Sequence, residues 1–168
     1  VDNISSSTSP ATCDVEIDSF RLATSPNATL HSDERKGADE IPVSSNPIIW
    51  DFSKTGDAIG WSAGNSVAVT ATPEGLNVAT SGMDPYIVSP ENLNYSADVY
   101  NTVRITIENR SDETKAALYW ITNEDMCWNA DKSAVIDLLP ETAGVQEYTL
   151  YLRSNIKWAG ILYQLRLD

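Results

Sequence analysis

Three sets of residues carry chemistry in this chain: carboxylates, flat aromatic rings, and two acidic side chains placed where an ion could be shared. Glycoside hydrolysis needs only two carboxyl groups, about 5–5.5 Å or about 6.5–9.5 Å apart. Glu108 with Glu124 or Asp125 is the pairing to consider, although 24 Asp and Glu residues supply many such pairs. The one histidine, His31, leaves no Ser-His-Asp relay, and Cys13 and Cys127 have no partner base. Two cysteines and one histidine do not make a zinc site. Gly56, Gly60 and Gly64 are spaced as turn glycines, not as a phosphate loop. Asp51 and Asp168 lie in the expected first and last strands of the main domain, which are often neighbours in a sandwich. With help from backbone carbonyls they would suit a structural calcium ion.

The aromatic residues are skewed. Five Trp and seven Tyr stand against two Phe, and Trp and Tyr recur where one end of a ring stays wet. Sugar rings present apolar C–H faces that stack on flat aromatic rings, so this is the composition a glycan binder needs. Trp50 and Trp120 read as core, and Trp158 as packing over the last strand. Trp61 and Trp128 stand between surface platform and core lid, and Tyr86, after Pro85, is expected to face a groove. Tyr119 is the strongest candidate, because strand parity sets it opposite Leu118 and Trp120.

The elements that must position these groups are short and extended. Val103, Ile105 and Ile107 alternate with Arg104, Thr106 and Glu108, a half-buried strand. Asn109 to Glu113 is a polar turn, and Lys115 to Ile121 a second alternating strand. The expected result is a central antiparallel hairpin. Its outer face would gather Arg104, Thr106, Glu108 and Tyr119, with Trp61, Tyr86 and Trp128 as loop walls. Further short strands are expected around Ile48–Phe52, Ser66–Ala71, Leu76–Val78, Asp84–Val88, Ser133–Leu138, Gln146–Leu152 and Ile161–Leu167. Turn signals separate them every eight to twelve residues, and no stripe of helical period intervenes. This predicts an all-β fold, a two-sheet antiparallel β-sandwich of jelly-roll type.

Residues 1–46 read as an N-terminal arm and linker holding one strand, 13–22, either the end of an upstream module or a strand docking on the main domain. The boundary falls near Asn46-Pro47, and residues 47–168 form the sandwich. Ile17 to Leu22 echoes Leu162 to Leu167, both apolar-x-x-apolar-Arg-Leu. A net charge of −13 excludes the basic footprint that nucleic acid and anionic membranes require. No apolar run approaches the ~20 residues of a membrane helix. No signal peptide opens the sequence, which fits a mature or excised form. If the chain is secreted and the arm docks on the domain, Cys13 and Cys127 could be bonded.

The run Trp50-Asp51-Phe52, Gly56-Asp57, Gly60-Trp61, then Asp84-Pro85-Tyr86-Ile87 and Ser89-Pro90, Leu118-Tyr119-Trp120, Trp128, and Trp158-Ala159-Gly160 with Leu165-Arg166-Leu167-Asp168 resembles the galactose-binding-like jelly-roll carbohydrate-binding modules appended to secreted polysaccharide-degrading enzymes. The resemblance covers roughly residues 47 to 168, and Cys13 to Leu22 is similar to the closing strand of such modules. It implies a β-sandwich, non-catalytic binding of a polysaccharide or oligosaccharide, and a structural calcium ion. It also implies tethering to other domains of a larger secreted or cell-surface protein. The alternatives are a spacer sandwich without a glycan site and a carboxylate-pair glycosidase.

Overall fold

In the computed structural model of the chain, residues 13–24 and 46–168 are described. The Ser/Thr-rich arm before Cys13 and the linker with His31 lie outside the described residues. Two six-stranded sheets pack face to face. The first runs β11 (Val145–Tyr151), β8 (Thr102–Arg110), β1 (Cys13–Ala23), β5 (Gly75–Thr80), β4 (Val67–Thr72), with β2 (Ile49–Asp51) also paired to β1. The second runs β10 (Ser133–Asp137), β9 (Lys115–Thr122), β12 (Ile161–Leu167), β6 (Ile87–Val88), β3 (Ser62–Ala63), with β7 (Tyr95–Ser96) paired to β12. The pairings named are all antiparallel, so the two-sheet antiparallel sandwich expected from the sequence is the fold.

Alternation decides which residues fill the space between the sheets. Phe20, Leu22, Val103, Ile105 and Ile107 from the first sheet meet Leu118, Trp120, Leu162 and Leu165 from the second, all buried. Trp50, Phe52 and Trp61 close one region of this core around Phe20. Their ring centroids lie 5.1–6.3 Å apart, mostly edge to face, as aromatic quadrupoles prefer. Trp120 meets Trp158 edge-on at 4.9 Å. Trp158 donates its indole N–H to the Tyr100 carbonyl at 2.9 Å, which places it in the core as expected.

The central hairpin does not form. β8 pairs with β1 and β11, and β9 pairs with β10 and β12. Residues 111–114 therefore cross from one sheet to the other. Asn109 pins the crossing: its Nδ2 donates to the Glu113 and Leu139 carbonyls (2.8 and 3.0 Å), and its Oδ1 accepts from the Ser111 N–H and hydroxyl (3.1 and 2.8 Å). The physical reason is simple. Two amphipathic strands joined by a short turn satisfy their apolar faces equally well side by side or across a core.

β1 is an internal strand of the first sheet, paired on one edge with β8 and on the other with β5 and β2. The boundary at Asn46-Pro47 thus falls within one sandwich. The strands that echo each other, β1 and β12, hold equivalent inner positions in their two sheets. The expected Pro73-Glu74-Gly75 turn joins β4 to β5, with Thr72 opposite Gly75. Gly75 has φ 152°, and a Cβ there would lie 2.6 Å from the Ile17 carbonyl oxygen, so only glycine allows β1 to approach.

Candidate functional site

The outer face of the second sheet brings together groups that the core does not need. Register places Ser133, Tyr119, Arg166, Val88 and Ser62 in one cross-strand row. In the neighbouring row Asp168 exchanges both backbone hydrogen bonds with Ala117, 2.9 Å each, and the Tyr86 carbonyl accepts from Gly64 at 2.8 Å. Arg166 sits at the centre. Its guanidinium carbon lies 3.8 Å from the Tyr86 ring centroid and 5.4 Å from that of Tyr119, within cation–π range. Asp168 takes Nε and Nη2 at 2.5 Å each, and Asp84 takes Nη2 at 3.1 Å.

The electrostatics follow from partial burial. Desolvation works against the Arg166 charge, but hydrogen bonding to Asp168 and the charges of Asp168 and Asp84 outweigh it and hold the guanidinium protonated. Burial pushes the Asp168 carboxyl above its ordinary range, against the opposing pull of Arg166. Tyr86 is held from behind: a Cβ on Gly64 would stand 2.0 Å from its Cε2. Gly64→Ala is therefore expected to expel the Tyr86 ring and open its stack on Arg166. Loss of the ring-current shift on the Arg166 side-chain protons would show this, and an unchanged shift would contradict it.

Tyr119 differs from Tyr86. Ser133 stands opposite Tyr119 on β10, and two residues along β9, Ala117 faces Val135, which is 56% exposed. One flank of its ring thus borders a shallow open surface, and Arg166 borders the other. The arrangement offers an apolar plate beside a charged donor and two carboxylate acceptors, the mixture that recognises a hydroxylated ring.

The other expected site residues are dispersed. Arg104 and Glu108 lie on the outer face of the first sheet, on the opposite side of the sandwich from Tyr119. Arg104 pairs with Glu147 at 3.7 Å, both side chains about half exposed, a pair of small worth. Arg110 bridges Glu108 and the buried Glu16, and Glu16 also accepts from the Thr72 hydroxyl at 3.1 Å. Glu16, Glu108 and Arg110, with Asp18 and Glu74, border a depression of about 160 Å³. Trp61 is a core residue, 4% exposed within the Phe20–Trp50–Phe52 cluster. Its indole N–H is buried without a hydrogen bond among the described residues, a cost of ~1–3 kcal/mol that the ring packing carries. Flanking Gly60 and Ser62 suggested a turn surface, and aromatic packing overrode it.

Trp128 is half-buried in the loop between β9 and β10 and is not among the groups around Arg166. Lys132 latches that loop from inside: its buried ammonium donates to the Asp125 carbonyl at 3.0 Å and contacts the Asp125 carboxylate at 2.9 Å. The hydrogen bond from Lys132, then that from the Cys127 N–H, hold the Asp125 carboxyl below its ordinary range. A depressed carboxyl stabilises above its unfolded value and loses that contribution as pH falls through the folded one. The latch is therefore expected to persist at about pH 4 and open only in stronger acid. Amide exchange across residues 123–132 would measure this, and opening near pH 5 would contradict it.

Two further expectations meet corrections. Asp51 belongs to the first sheet, where its carboxylate caps the short helix α1 (Phe52–Thr55), accepting from the Lys54 N–H at 3.0 Å and the Ser53 hydroxyl at 3.2 Å. Asp168 serves Arg166 on the far side of the second sheet, so the two are not brought to one ion. Among the described residues no group of three or more His, Cys, Asp or Glu side chains is disposed to hold a metal. Cys13 begins β1 opposite Thr80, beside the crossing at Arg110. Cys127 lies beyond Thr122, the far end of β9, and is a free, exposed thiol. Eight strand residues, roughly 25 Å, separate the two ends, well outside disulfide reach. The same distance separates Glu108 from Glu124 and Asp125, so that carboxylate pair does not assemble.

Arg166, Asp84 and the Arg166–Asp168 clamp were missed by the sequence reading. One signal was present: in Leu165-Arg166-Leu167-Asp168, parity puts Arg166 and Asp168 on one face. Nothing local pointed to Asp84, which reaches Arg166 across 82 residues of sequence. Comparison of the chain with protein-family models, curated proteins and solved structures finds no match.

Proposed function

We propose that this chain is a non-catalytic carbohydrate-binding module that uses the outer face of its second sheet to anchor a larger secreted or surface protein on a polysaccharide. The observation that carries the reading is Tyr119, an aromatic ring set on an exposed sheet face between the Arg166 cluster and a border of small side chains. Such a ring accepts the C–H face of a pyranose, while Arg166 and its carboxylates meet the hydroxyls with charge-assisted hydrogen bonds. The site is shallow, and each sugar hydroxyl must shed water to bind, so modest affinity is expected. The adjoining cavity between the sheets, about 70 Å³ and lined by Val15, Ile17, Val78, Ile107 and Leu167 among others, offers almost no hydrogen-bonding partners and is no sugar pocket.

One observation favours a second reading. Arg166 engages two rings and two carboxylates of its own chain through its cationic face, Nε and Nη2, as a structural clasp in a spacer sandwich would. Retention of the protein on a panel of insoluble polysaccharides, with an assay for released reducing ends, separates the possibilities. Retention on at least one polysaccharide without new reducing ends is the expected result. No retention on any would favour the spacer, and release of sugar would favour the glycosidase.

A further inference from the structure

Resting on that reading, we infer that the Arg166 site selects neutral sugars bearing vicinal hydroxyls and disfavours uronate and sulfated polymers. Arg166 supplies one positive charge, and Asp84 and Asp168, both in contact with it, supply two negative ones, leaving the cluster at −1. Asp168 is largely covered, but the Asp84 side chain is 69% exposed, so a ligand that reaches Arg166 meets its carboxylate at the surface. A carboxylate or sulfate ligand can only accept hydrogen bonds, and would stand beside this acceptor with like charge.

A hydroxyl both donates and accepts. Asp168 and Asp84 engage Nε and Nη2 of Arg166, while Nη1 has no acceptor among the described residues. One of its N–H bonds can donate to a hydroxyl oxygen, and the second oxygen of Asp84 can accept the proton of the next hydroxyl on the same ring. A vicinal diol on a neutral pyranose matches that donor–acceptor pair, with the ring's C–H face on Tyr119. The chain's net charge of −13 adds a long-range repulsion of the same sign, which salt screens.

Asp84→Asn tests the inference without disturbing the backbone. Asp84 has φ 54°, a conformation that asparagine also adopts, and an amide oxygen can still accept from Arg166. Soluble β-glucan, galactan and mannan are compared with polygalacturonate and alginate in chelator, so that no cation bridges carboxylates, at low and at high salt. The wild-type chain is expected to bind at least one neutral polymer, and both uronates measurably more weakly. Asp84→Asn is expected to shift the uronate-to-neutral affinity ratio upward by roughly fivefold at low salt, the equivalent of one like-charge contact in water. Wild-type binding to a uronate as tight as to the neutral polymers and abolished by Tyr119→Ala, or an unchanged ratio in Asp84→Asn, would overturn the inference while leaving glycan binding intact. No binding to any of the five polymers would remove the binding reading itself.

Discussion

Trp120→Ala is expected to unfold much of the population or to lower stability by ~3–5 kcal/mol, the range for deleting a large buried aromatic side chain. Trp120 is fully buried. It loses three things at once: apolar burial, the edge-on contact with Trp158 at 4.9 Å, and the hydrogen bond from its indole N–H to the Lys157 carbonyl at 2.9 Å. The last leaves a carbonyl short of its partner in the loop that leads into β12, so the damage reaches the strand that carries Arg166. Against a total of roughly 5–15 kcal/mol for a domain, this is a large share. The midpoint of denaturant unfolding measures it. A shift equivalent to less than ~1 kcal/mol would mean that Trp120 does not hold the two sheets together.

Tyr119→Ala, one residue away, is expected to do the opposite. The ring is half-buried on the outer face, and its contact with Arg166, at 5.4 Å, is a partly exposed cation–π interaction worth ~0.5–1 kcal/mol. The fold should survive with its unfolding midpoint little changed. Glycan affinity should not: losing one stacked ring face removes ~1–2 kcal/mol of apolar contact, or roughly five- to thirtyfold in binding constant. Affinity electrophoresis in a gel containing the polysaccharide that retains the wild type reads this directly. Undiminished retardation of the variant would move the site elsewhere, and collapse of the fold would make Tyr119 a core residue.

This contrast between neighbours was legible in the sequence. Side chains alternate across a strand, so Leu118 and Trp120 pointing inward fixes Tyr119 as outward, whatever the strand pairs with. The same parity identified Ile105 and Ile107 as core and Arg104 and Glu108 as surface. Partner choice was not legible. The turn after Asn109 could fold β9 beside β8 or carry it across the core, and the alternation is identical in both cases. That one ambiguity decided the site: the crossing sends Arg104 and Glu108 to one side of the sandwich and Tyr119 to the other. In their place the pairing of β12 with β9 and β6 brought Arg166 between Tyr119 and Tyr86, contacts set by long-range register that no local pattern encodes. Trp61 and Asp51 failed for a related reason. A residue beside a glycine, or at a strand end, reads as exposed until the tertiary packing supplies an aromatic cluster for one and a helix N-terminus for the other.

The most direct test of the central claim is a map of amide chemical-shift changes as a soluble oligosaccharide from a retained polysaccharide is titrated into the labelled chain. The account predicts that the largest changes fall on one face, at Asp84, Tyr86, Ala117, Tyr119, Ser133 and Arg166, while Arg104, Glu108 and Glu147 on the opposite sheet stay still. Changes centred on Arg104, Glu108 and Arg110, or confined to the loop around Trp128, would contradict it.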